Sequence, residues 1–189
     1  KASLIHDDIE DGDDKRYGQK TLHAEHGIPV ALNAGDLLLG EGYRLLAECE
    51  AEPRLRTELI RAAAKGHSTL CLGQGAELSW ARNPEPLTSL QVLDIFRQKT
   101  SPAFEVALRL GAVLADADED VFDVLERYSE ALGIAYQIRD DIEDLGGADA
   151  PDDLQGLRPS LPLALALERT HGEMLQTIQA AWARTGGLS

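Results

Sequence analysis

Two acidic runs in this 189-residue chain spell the same word, Asp7-Asp8-Ile9-Glu10-Asp11 and Asp140-Asp141-Ile142-Glu143-Asp144. Each follows an apolar stretch of helical period, and on a helix residues i and i+4 lie one turn apart on one face. Asp7 therefore projects with Asp11, flanked by Asp8, and Asp140 projects with Asp144, flanked by Asp141. Like charges held that close repel one another, so the grouping is unfavourable unless a cation is present. Magnesium suits such donors, because it takes hard oxygen ligands and commonly bridges a few carboxylates to substrate phosphates while keeping waters. A single DDxxD run reads more readily as an acidic helix end on the surface. Its repetition after two apolar helical runs favours two sides of one metal and diphosphate site, facing each other across a helical cavity.

Composition sets outer bounds. With 33 acidic against 18 basic residues, the net charge of -15 argues against nucleic acid as a partner, since a phosphate backbone rewards Lys and Arg. A solvated acidic surface and a clustering of carboxylates for cations both remain open. Cys49 and Cys71 form no CxxC pattern, which suggests neither a disulfide framework nor a zinc site and makes a reducing cytoplasm the default. No apolar run approaches the roughly 20 residues that span a bilayer, and no signal peptide is visible, so stable membrane insertion is not expected. At 43% hydrophobic the chain can fill one sizeable core, and a single domain over residues 1–189 is the expectation. The first residue is Lys1, and Ala2 to His6 already reads as the apolar face of a helix in progress, so an excerpt lacking its N-terminal helices is expected.

The elements that must position the carboxylates read as helices throughout. Ser3 to about Asp11 is the end of one, followed by the polar stretch Gly12 to Gly27. Helical pattern returns from Ile28 to Glu50, with Pro29 in its first turn and Val30, Leu37, Leu38, Tyr43, Leu45 and Leu46 over a wide apolar surface. Pro53 ends it. A third helix runs from Arg54 to about Trp80, until Asn83-Pro84-Glu85-Pro86 breaks it. Thr88 is the N-cap of a run from Leu90 to about Ala115, which Ser101-Pro102 kinks next to Lys99-Thr100. Glu119 to about Asp144 is strongly periodic and stops at Gly146-Gly147. A loop from Ala148 to Pro159 leads to a last helix from about Leu161 to Arg184. No alternating strand pattern stands out, so the class is all-α with long helices. Gly73 and Gly75, near Gln74 and Glu77, would admit another helix or a ligand at close range, helix packing alone being the open alternative. His6, His23 and His26 do not form a metal set, and His6 reads as a packing or supporting residue.

The chain resembles the trans-polyprenyl diphosphate synthases of the class I isoprenoid synthase fold. The resemblance runs through Ser3-Leu4-Ile5-His6-Asp7-Asp8, His26-Gly27-Ile28-Pro29, Asn33-Ala34-Gly35-Asp36, Gly73-Gln74-Gly75, Lys99-Thr100, Gln137-Ile138-Arg139-Asp140-Asp141 and Ser160-Leu161-Pro162-Leu163. It implies an all-α helical bundle around a central active-site cavity, acting as a cytoplasmic homodimer. It also implies three magnesium ions that bind an allylic prenyl diphosphate, whose ionisation gives an allylic cation attacked by isopentenyl diphosphate. On this reading Asp7, Asp8 and Asp11 hold one side of the metal cluster, and Asp140 with Asp144 the other. Arg16 matches the first arginine of the family's Arg-Arg-Gly signature, which grips the allylic diphosphate. Lys99 and Thr100 match its Lys-Thr pair, Gln137 its glutamine before the second aspartate word, and Arg158 stands in for a lysine before the Ser-Leu-Pro segment. Metal and cationic groups would then face the charge that develops on the leaving group.

The departures concentrate on the acceptor. Tyr17 replaces the signature's second arginine, and a phenol carries no positive charge for a diphosphate. The family's upstream Gly-Lys-Arg segment is not in this sequence. The loop Gly146 to Gly156 carries Asp149, Asp152 and Asp153 where phosphate-binding lysines are usual. Two alternatives stay open: a class I terpene cyclase that ionises an allylic diphosphate without isopentenyl diphosphate, and a non-catalytic subunit that regulates a partner synthase. Intact aspartates in both words speak against the second. Ala2 and Ser3 occupy positions where short-chain members carry a bulky aromatic pocket floor, which implies growth of the product past fifteen carbons to twenty or more.

Overall fold

The computed structural model describes residues 2–146 and 158–185, with the side chains of 144–146 and 180–185 outside the description. Residue contacts divide the chain into two units, Lys1–Arg61 and Ala62–Ser189.

In the first unit, α1 (Ala2–Asp11) stops at Gly12, whose φ of +70° leaves the helical region. The Asp13 amide then turns back to donate to the Asp8 carbonyl at 2.9 Å, the left-handed glycine stop that satisfies a helix-end carbonyl. The polar stretch after α1 holds a small hairpin: β1 (Lys15–Arg16) pairs antiparallel with β2 (Gln19–Lys20), Lys15 opposite Lys20 and Arg16 opposite Gln19. Tyr17 and Gly18 make its two-residue turn with φ of 52° and 76°, the doubly positive pattern whose twist suits antiparallel strands. Strands two residues long leave no alternation to read, so periodicity passes over them.

Thereafter come α2 (Leu22–His26) and α3 (Ile28–Glu48), joined by Gly27 at φ +85°. α1 packs on α3 where the His6 ring lies over Gly35; a side chain at Gly35 would collide with that imidazole. Ala31 is fully buried on α3, whereas Val30, Leu37, Leu38 and Leu45 are exposed. Pro53 does not end this helix but opens the next, α4 (Pro53–Ala81), because proline in a first turn forfeits no intrahelical hydrogen bond.

The second unit takes α4 from Ala62 onward and adds α5 (Ser89–Lys99), α6 (Ser101–Leu114), α7 (Glu119–Gly146), α8 (Leu161–Arg169) and α9 (Glu173–Thr185). Thr88 caps α5 through a capping box: its hydroxyl accepts from the Gln91 amide while the Gln91 side chain accepts from the Thr88 amide at 2.8 Å. The amide and hydroxyl of Ser89 both donate to the Glu168 carboxylate, at 2.7 and 3.0 Å, which ties the start of α5 to α8 and places an anion at a helix N-terminus. Behind this tie Val92 and Phe96 of α5 bury against Leu161 and Ala164 of α8, with Ile138 of α7 packed alongside. The last helical span is not continuous: Gly172 at φ +65° separates α8 from α9, and the apolar pattern resumes beyond it without announcing the break. Residues 147–157, where the sequence leads to the expectation of an acidic loop with Asp149, Asp152 and Asp153, lie outside the described residues. Among the described residues no helix is long and apolar enough to cross a membrane.

Candidate active site

The first acidic word ends α1, and the hairpin that follows brings a cation onto it. Arg16, on β1, donates from Nε to Asp8 Oδ1 at 2.5 Å and from its terminal nitrogen to Asp7 Oδ2 at 3.1 Å. The Asp8 side chain is 8% exposed and that of Arg16 28%. Burial works against the Arg16 charge, but the hydrogen bond and attraction of Asp8, with Asp7 and Asp13 behind, outweigh it and hold its pKa above the ordinary arginine value. Asp11 closes α1 one turn beyond Asp7. Tyr17, next to Arg16, is 89% exposed at the hairpin tip.

Lys99 is the last residue of α5, and the chain leaves helix at Thr100 before Ser101-Pro102 opens α6. This break is packed by glycines. A Cβ on Gly73 of α4 would lie 2.5 Å from both the Gln98 carbonyl carbon and the Lys99 nitrogen, and one on Gly133 of α7 would lie 2.6 Å from the Ser101 Cα. Only residues without a side chain allow the backbones to approach so far. One turn after Gly73, Glu77 meets the Lys99 ammonium at 3.1 Å, with the two side chains 8% and 13% exposed. Thr100 itself is half-buried and donates its amide to the Phe96 carbonyl at 3.1 Å.

The second word lies near the end of α7. Asp140 is half-buried and accepts from Arg139 at 3.3 Å; Arg139 also reaches Glu143 at 3.3 Å and lies over the Tyr136 ring at 4.8 Å. These contacts hold the Arg139 pKa above its usual value, chiefly through attraction to Glu143 and the hydrogen bond to Asp140. Asp141 points elsewhere, accepting from the Leu161 amide at 2.7 Å and so capping the first turn of α8. Gln137 is half-buried on α7 one turn before Asp141, and Arg158 is exposed ahead of α8. The Asp144 side chain is outside the described residues.

The structure thus gathers Asp7, Asp8 and Arg16 in the first unit and sets Lys99 against Glu77 in the second. Among the described residues no three His, Cys, Asp or Glu side chains stand close enough to hold a metal ion as they are. The donor chemistry nonetheless suits magnesium: Asp7 and Asp11 present hard carboxylate oxygens along one face of α1, with Asp8 beside them.

A model of the family described as polyprenyl synthetase matches residues 1–186. The chain belongs to the polyprenyl synthetase family. Among its relatives, the farnesyl diphosphate synthase of Bacillus subtilis strain 168 is 36% identical over 202 aligned positions, covering 99% of this chain and 67% of that one. Among solved structures, the geranylgeranyl pyrophosphate synthetase of Pyrococcus horikoshii Ot3 matches with a TM-score of 0.86 and 26% identity, over 96% of this chain and 57% of that one. A geranyltransferase from Helicobacter pylori, solved in complex with magnesium and isoprenyl diphosphate, matches with a TM-score of 0.77 and 26% identity, over 97% and 62%. This family member spans between 43% and 67% of the length of the first curated relatives it matches.

Within this chain, Glu77, Arg139 and Asp141 acquire partners that sequence reasoning did not give them. Glu77 stood out only by its nearness to two glycines, and the ladder Arg139-Glu143 is visible as an i, i+4 pair. Nothing in the sequence marks Asp141 as the cap of a helix that starts 20 residues later.

Proposed function

We propose that this chain catalyses head-to-tail prenyl transfer from an allylic diphosphate to isopentenyl diphosphate, yielding a product of twenty carbons or longer. One observation supports this reading above the others: Arg16 stands on both Asp7 and Asp8, in a chain that matches the polyprenyl synthetase family from residue 1 to 186. On this reading Asp7, Asp8, Asp11, Asp140 and Asp144 hold magnesium, in all three ions, and the metal supplies charge neutralisation to the diphosphate leaving group. Arg16, Lys99, Thr100, Gln137 and Arg158 bind and orient that group. As the allylic carbon–oxygen bond breaks, the electron pair leaves with the diphosphate, and Arg16 and Lys99 offer N–H donors to the oxygens on which charge grows. The alkene of isopentenyl diphosphate then forms the new carbon–carbon bond, and the adduct loses a proton. Ala2 and Ser3, small residues before the first word, favour the longer product. The continuous family match through both units supports one isoprenoid synthase domain, and we place it in the cytoplasm as a homodimer.

Tyr17 favours a second reading. An uncharged, 89% exposed side chain at the position of the second signature arginine weakens the acceptor side, which a class I terpene cyclase would not need. The deciding experiment incubates the full-length protein and magnesium with geranyl or farnesyl diphosphate, with and without isopentenyl diphosphate, and identifies the products. Longer diphosphates formed only with isopentenyl diphosphate support the synthase; hydrocarbons or alcohols formed without it support the cyclase. Absence of turnover in both overturns each of them in favour of a regulatory subunit.

A further inference from the structure

We infer that Glu77 is a positioning residue that holds the Lys99 ammonium in place for the substrate diphosphate, an inference that rests on the reading of Lys99 as a diphosphate ligand. The pair is built from two helices. Glu77 Oε2 lies 3.1 Å from Lys99 Nζ, and both side chains are largely withdrawn from water. Gly73, one turn earlier on the same face of α4, lets the two backbones meet at the Gln98-Lys99 peptide. The carboxylate is therefore carried to the ammonium by a rigid backbone contact rather than by a flexible loop.

Stability alone is a weak reason for such a pair, because a buried ion pair is often no more stabilising than well-packed apolar residues of similar size. Binding gives a stronger one. A lysine carries a compact charge on a flexible four-carbon stem with three N–H donors. Anchoring one N–H on Glu77 fixes where the charge stands and removes ordering that diphosphate binding would otherwise have to supply. Lys99 also ends α5, where the negative end of the helix dipole favours a cation. Glu77 acts through Lys99 and touches no substrate atom.

The test is calorimetric titration of the full-length protein, with magnesium present, using farnesyl thiodiphosphate, an analogue that resists ionisation. Lys99→Met should weaken binding roughly tenfold or more, the effect of losing a hydrogen bond to a charged group. Glu77→Gln should weaken it by a similar factor, Glu77→Asp should recover most of that loss, and Glu77→Gln with Lys99→Met together should bind no worse than Lys99→Met alone. Unchanged binding in Glu77→Gln beside weakened Lys99→Met overturns the inference and leaves the Lys99 reading intact. Unchanged binding in Lys99→Met overturns both. A double variant weaker than Lys99→Met by the Glu77→Gln factor shows Glu77 acting independently and also overturns the inference. Should Glu77→Gln lose its helical circular dichroism, Glu77→Met with and without Lys99→Met replaces it: weakened binding in Glu77→Met with no loss beyond Lys99→Met in the double variant supports positioning, and unchanged binding in Glu77→Met or an additive loss overturns it.

Discussion

Nε of Arg16 donates to Oδ1 of Asp8 across 2.5 Å, and the same guanidinium reaches Asp7 at 3.1 Å. A strand residue thus neutralises two neighbouring carboxylates at the end of α1, where their mutual repulsion would be strongest. Asp8 is nearly buried and Arg16 mostly so, which lessens the solvent screening that makes surface pairs weak.

Replacing Arg16 with alanine leaves those carboxylates uncompensated. In magnesium-free buffer Arg16→Ala is expected to lower stability by about 1.5–3 kcal/mol, the range for hydrogen bonds to charged groups. Thermal unfolding with added magnesium should shrink that deficit, because the ion takes over the neutralisation. A deficit that stays the same at saturating magnesium would mean that the first word does not take the metal.

Removal of metal ligands should separate chemistry from folding. Asp7→Ala and Asp140→Ala are each expected to abolish turnover while far-ultraviolet circular dichroism stays at the wild-type level. Chelation of magnesium should do the same to the wild type, and restoring the ion should restore the rate. Retained turnover in either variant would remove that word from the metal site.

Two glycine substitutions should move stability in opposite directions. At Gly73 an added methyl would lie 2.5 Å from backbone atoms that cannot rotate away, so Gly73→Ala is expected to cost about 1–3 kcal/mol or more and to weaken diphosphate binding through Lys99. At Gly111 of α6 nothing lies within 4 Å of a built Cβ, so Gly111→Ala should gain up to about 1 kcal/mol from helix propensity alone. Denaturant titration of both variants checks the pair, and a Gly73→Ala midpoint at or above that of wild type would refute the close α4 to α5 approach.

The capping box of α5 offers a local control. Thr88→Ala removes the hydroxyl that accepts from the Gln91 amide and should cost about 1 kcal/mol without changing substrate affinity. A midpoint of chemical denaturation equal to wild type would show that the cap adds nothing.

Local signals were legible where one residue or its immediate neighbours decide the outcome. Thr88 announces a helix start, and Ser101-Pro102 announces the break after Lys99, because capping and the missing proline N–H act over a single turn. Pro53 misled, since a proline closes one helix and opens another with equal ease. The hairpin at Tyr17-Gly18 and the break at Gly172 were illegible for a related reason: each depends on a few backbone angles that leave no periodic trace.

The same division governs the site. The all-α class, the repeated aspartate word, the i, i+4 placement of Asp7 with Asp11 and the resemblance that family membership bears out all follow from residue type and short spacing, and so are written in the chain itself. Tertiary structure alone decided which charges meet. Arg16 turns onto Asp7 and Asp8 because a left-handed glycine and a two-residue turn fold the chain back; Glu77 meets Lys99 because Gly73 lets two backbones touch; Asp141 leaves the acidic word to cap α8. An ion pair forms where packing brings its partners within a few ångströms, and that distance is set by the fold rather than by the number of residues between them.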